Sequence, residues 1–76
     1  MVKLIESGPW NMVFSSDIKD VIIEARPTMG LSGLMIQYHL KKGLNYAVVG
    51  NGKIASFNST SAANNWAKRH YRNNNK

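Results

Sequence analysis

No cysteine occurs anywhere in the chain, and at 76 residues that absence limits what can hold a fold together. Disulfides, thiolate metal sites and thiolate nucleophiles are removed at once. A single apolar core must then stabilise a domain that buries only about 60% of the surface its unfolded chain exposes. With 43% hydrophobic and 18% charged residues the composition is that of a folded chain, and two prolines and six glycines imply many turns. One domain is expected over residues 1–76, folded from 2 to 72, with the Asn-Asn-Asn-Lys tail at 73–76 frayed.

Short strands separated by turn residues dominate the pattern. Val2 to Glu6 reads as a strand stopped by Ser7, Gly8 and Pro9, and Trp10 to Ser15 as a second. Asp17 to Arg26 is ambiguous between helix and strand. Ile18, Val21, Ile22 and Ala25 recur at helical spacing, whereas the β-branched run Val21, Ile22, Ile23 favours a strand, which is the choice for Asp20 to Arg26. Pro27 to Gly33 reads as a loop. Leu34 to Leu40 alternates as a strand should, and Lys41-Lys42-Gly43 reads as a turn. Gly50-Asn51-Gly52 between Asn45–Val49 and Lys53–Phe57 is the strongest hairpin signal, because glycine and asparagine tolerate positive φ.

Ser59, Thr60 and Ser61 offer a capping hydroxyl for a helix over Ala62–Asn73, with Ala63, Trp66, Ala67 and His70 on one stripe. The fold class that results is α+β: a small antiparallel sheet of four to five strands with one C-terminal helix packed on one face. The expected core sets Trp66, Ala63 and Ala67 against Val49 and Phe57. Met35, Tyr46, Val48 and Ile54 lie on the second sheet face, which either the N-terminal strands or a second copy of the chain must cover. A homodimer is therefore one expectation.

Charge is polarised along the chain. Glu6, Asp17, Asp20 and Glu24 all lie in the first 24 residues, which carry a net −2 with Lys3 and Lys19; the rest has eight cations and no acid. A stretch of that kind attracts polyanions. Lys41, Lys42, Lys53, Lys68, Arg69 and Arg72, interleaved with Tyr38, Tyr46 and Tyr71, are the candidate nucleic-acid-binding residues, with lysine and arginine meeting phosphates and tyrosine faces stacking on bases. The competing explanation for Lys68, Arg69 and Arg72 is that cations near a helix C-terminus complement its dipole.

Catalytic constellations are missing from the sequence. His39 and His70 are the only histidines, the carboxylates lie in another part of the chain, and no metal-ligand spacing can be drawn. Gly50-Asn51-Gly52 sits between two strands rather than before a helix, so it reads as a turn and not as a phosphate loop. The expectation is a protein without enzymatic activity, cofactor or metal. No apolar run approaches the roughly 20 residues of a membrane span, and the first residues lack the pattern of a secretory signal. A soluble, cytoplasmic protein with no membrane partner is expected.

Two resemblances add to this reading. From Gly33 to Arg72, the succession of strand Leu34–Leu40, Lys41-Lys42-Gly43, strand Asn45–Val49, Asn51-Gly52-Lys53, strand Ile54–Phe57, Ser59-Thr60 and an alanine-rich helix with Trp66 looks like the three-stranded-sheet-plus-helix DNA-binding domains of phage integrase arms and AP2-type plant factors. That resemblance implies a sheet entering the major groove. The families read bases largely with Arg and Trp; the matching strands here carry Gln37, His39, Tyr46 and Val48, which leaves backbone contact through Lys42, Lys53 and the helix cations. Ile5 to Trp10, with Phe14, Asp17, Asp20 and Val21, is similar to the opening of short bacteriophage-encoded proteins, which implies a phage origin and a bacterial host cell. The leading expectation is a nucleic-acid-binding module of low sequence specificity. Its alternative is a module that inhibits or recruits a host protein through an apolar face.

Overall fold

The β-branched run Val21, Ile22, Ile23 decides the ambiguous segment in favour of a strand, and the strand it nucleates is far longer than the sequence suggests. In the computed structural model, which describes residues 2–71, β3 runs over Val21–Gly30 and pairs along its whole length with β4, Gly33–Lys42. On the other side of β3 lies β2 (Met12–Ser15), and beside that β1 (Leu4–Ser7); β5 (Asn45–Tyr46) borders β4. The five strands form an antiparallel meander in the order β1-β2-β3-β4-β5, with the helix α1 (Thr60–His70) following. The α+β class expected from the sequence is the observed one.

Several boundaries are corrected. Pro27 to Gly33 is not a loop: β3 continues through Pro27 to Gly30, and only Leu31 and Ser32 turn between the strands. Proline is tolerated there because β2 ends opposite Ala25, leaving β3 on an open edge beyond it. Gly33 has φ +118, a backbone conformation that glycine alone adopts without strain. Lys41 and Lys42 belong to β4, and the turn falls on Gly43 and Leu44. The Gly50-Asn51-Gly52 turn forms as expected, closed by bonds between Val49 and Lys53 and from Gly52 N–H to Val49 C=O. Its flanks do not become full strands; single bridges pair Val48 with Ile54 and Phe57 with Tyr38. At the N-terminus, β1 starts at Leu4 and Trp10 falls outside β2. The N-terminal strands widen the sheet sideways and do not fold over its second face.

Directly paired residues on antiparallel strands share a face. On one face of β3 and β4 lie Val21, Ile23 and Leu40, and α1 packs here with Ala63 and Ala67 wholly buried. Alanines let the helix approach closely; Phe14, Ile18, Tyr38, Phe57 and Trp66 fill the margin, while Val49 stays exposed. Ser59 caps α1, its hydroxyl accepting from Ala62 N–H at 3.1 Å. A polar clasp fixes the helix to the β2–β3 loop: Asp17 N–H donates to Asn64 Oδ1 at 2.8 Å, and Asn64 Nδ2 donates to Asp17 Oδ2 at 3.0 Å. The expected fraying of 73–76 and the site residue Arg72 lie outside the described residues.

Candidate interaction surface

An α-helix rises about 1.5 Å per residue and a strand about 3.3 Å, so the 11 residues of α1 cannot span the ten-residue strands beneath it. Burial records where it stops. Along the helix-bearing face Ile23 and Leu40 are 0% exposed, Ile36 is 40%, Leu34 72% and Met29 76%. Beyond Ala25, β3 has no partner from β2; β4 below Tyr38 has none on its outer side among the described residues. Residues 26–37 therefore project as a two-stranded arm with Leu31 fully exposed at its tip.

A groove of about 280 Å³ opens at the root of this arm. Its floor is Met12, Ala25, Pro27, Leu34 and Ile36, and its wall is the β1–β2 turn, which Gly8 N–H closes onto Asn11 C=O at 2.8 Å. That turn holds Trp10 on the rim, 76% exposed. Trp10, Met29, Leu31, Leu34 and Ile36 together expose several hundred Å² of mainly apolar surface. The largest such patch on an ordinary monomer is about 300–600 Å². No charged residue occurs from Pro27 to Leu40.

The second face of the sheet carries a buried carboxylate that sequence reasoning passed over. Glu24 is 8% exposed, between β2 and β4, and Tyr46 Oη donates to its Oε1 at 2.7 Å. Arg26 Nη2 stands 3.6 Å from the same oxygen and Lys41 Nζ 4.0 Å from Oε2. The hydrogen bond to Glu24, with partial desolvation behind it, pushes the Tyr46 phenol above its ordinary pKa. Lys41 also lies 5.4 Å from the centroid of the Tyr46 ring, and His39 meets that ring edge-on. The sequence signal for this cluster is non-local: Glu24 and Tyr46 come together only because β3, β4 and β5 pair in this register.

The five described cations of the six picked from the sequence do not share a face. Lys41 sits on the Glu24 side of the sheet, and Lys53 lies past the Gly50–Gly52 turn. Lys42, Lys68 and Arg69 are on the helix side, Lys42 with its ammonium 5.6 Å from the Tyr71 ring centroid and Lys68 3.7 Å from Asp17. Two of the four acids thus stand among cations, Glu24 with Arg26 and Lys41, and Asp17 with Lys68. His70 stacks on Trp66 with centroids 4.1 Å apart. Among the described residues no three metal-ligating side chains come together, and every buried side-chain polar atom has a hydrogen-bond partner. No helix among them is long and apolar enough to cross a membrane. Comparison of the chain with protein-family models, with curated proteins and with solved structures returns no match.

Proposed function

We propose that the protein is a non-enzymatic interaction module that binds another polypeptide through the arm of residues 26–37 and the Trp10 groove at its root. The carrying observation is the exposure of Trp10, Met29, Leu31 and Leu34 around a groove, with no charged residue from Pro27 to Leu40. Aromatic and aliphatic anchors beside a recess are what protein interfaces use as their energetic centre. The test is photo-crosslinking in cells, with a benzophenone side chain placed at Leu31 and, as control, at Ser61 on the exposed side of α1. A discrete cross-linked polypeptide from Leu31 and none from Ser61 is expected. Equal or absent cross-linking at the two positions overturns the reading.

A second reading has its own support. Lys42, 5.6 Å from the Tyr71 ring centroid, lies on the sheet face that α1 covers, and Lys68, paired with Asp17, and Arg69 are in the last turn of that helix; a phosphate backbone crossing the helix end would meet these cations. Log affinity for duplex DNA then falls against log salt with a slope of about −3. Lys42→Ala with Arg69→Ala should abolish a mobility shift that Lys41→Ala leaves unchanged. Absence of any shift at low ionic strength ends this reading.

A further inference from the structure

Resting on the arm as the binding surface, we infer that its occupant is a second copy of this chain, docked about a two-fold axis so that each arm tip enters the other's groove. The argument starts from shape. One patch contains both a projection, Met29 and Leu31, and a recess, the groove under Trp10. A surface carrying both halves of a contact is self-complementary, as a two-fold interface must be.

Charge points the same way. Two chains at +6 repel, so they associate only through a surface that keeps their cations apart. The arm comes near to that: its one charged side chain, Arg26 at the root, stands 3.6 Å from the Glu24 carboxylate, and no charge follows from Pro27 to Leu40. Lys41 and Lys42 end β4 at the far end of the sheet from Leu31, and Lys68 and Arg69 are in the last turn of the helix that packs there. An arm-to-arm dimer directs both basic ends outward.

Core size supplies the need. Ile23 and Leu40 are the only large side chains wholly buried among the described residues, and Ala25, Ala47, Ala55, Ala63 and Ala67 make up more than half of the buried apolar set. A two-stranded ribbon with no third strand and no covering layer is marginal in water. Laying the open half of one helix-bearing face on that of a second copy gives each arm the layer it lacks. The area available, several hundred Å² per chain, approaches the roughly 800 Å² per partner of a standard interface. An unrelated partner could supply the apolar layer, but neither the matched projection and recess nor the outward charge would then be required.

The experiment is sedimentation equilibrium of the full chain from low to high micromolar concentration, with tryptophan fluorescence alongside. The expected mass is twice the 8.5 kDa of the chain, with the summed emission of Trp10 and Trp66 shifting to shorter wavelength as the dimer covers Trp10, the more exposed of the two. Leu31→Asp and Leu34→Asp, at positions exposed in the single chain, should each weaken association at least tenfold while the circular dichroism spectrum, the control for folding, stays that of a folded chain. Leu31→Ser and Leu34→Ser serve as milder versions if either aspartate variant misfolds. A wild-type chain that stays at single mass throughout, or a dimer indifferent to both leucines, overturns the proposal. A monomer whose Leu31 still cross-links a different polypeptide in cells overturns the second copy and leaves the interaction reading standing; a monomer that cross-links nothing removes both.

Discussion

Burying a carboxylate costs several kcal/mol unless hydrogen bonds and opposite charges replace its water. Glu24 meets that condition through Tyr46, Arg26 and Lys41. Removing the one short hydrogen bond is the informative change: Tyr46→Phe should cost about 1–3 kcal/mol, read by urea denaturation, because the acceptor stays buried while its donor goes. The phenol provides a second readout. Its pKa is raised above 10.0, so the folded chain holds this proton more tightly than the unfolded one. That contribution to stability is intact below pH 10 and is lost as pH rises through the folded value. In a spectrophotometric titration one of the three tyrosines should ionise late, and Glu24→Gln should bring it back toward the ordinary range. Counting charges placed Glu24 in an acidic N-terminal stretch; what makes it singular is a register of three strands that no local pattern carries.

The arm and the helix show what can be read locally and what cannot. Ser59 as a cap, Ala63 and Ala67 as the buried stripe, and the alternation of Leu34 to Leu40 were legible because each depends on residues within a turn or two. Pro27 and the glycines around it read as a loop because their turn propensity is strong, and only the ten-residue pairing with β4 overrides it. Gly33 tests that pairing. Its φ of +118 strains any side chain although nothing lies within 4 Å of a Cβ there, so Gly33→Ala should cost about 1–3 kcal/mol from backbone alone. Hydrogen exchange should then accelerate in residues 28–36 before the rest of the sheet. For α1 the polar clasp is the tether: Asn64→Ala removes both bonds to Asp17 and should lower stability by about 1–2 kcal/mol in thermal melts, with helix amides losing protection first.

For the whole chain, stability hangs on few atoms. Leu40→Ala should cost about 3 kcal/mol, a large share of the roughly 5 kcal/mol a domain of this size commands, and thermal unfolding should move down by more than 10 °C. A small antiparallel sheet and the single helix were legible from turn spacing, whereas Lys53–Phe57, read as a strand, forms only isolated bridges. The distribution of cations over two sides of the sheet was not legible, since the alternation along β4 sends Lys41 and Lys42 in opposite directions however close they are in sequence. The border of the sheet has a further consequence. β1 is an exposed edge of only four residues, and its register slips between Leu4 and Glu6. An edge so short and irregular is a poor template for an incoming strand. Extension of the meander by strand addition at that border is therefore disfavoured.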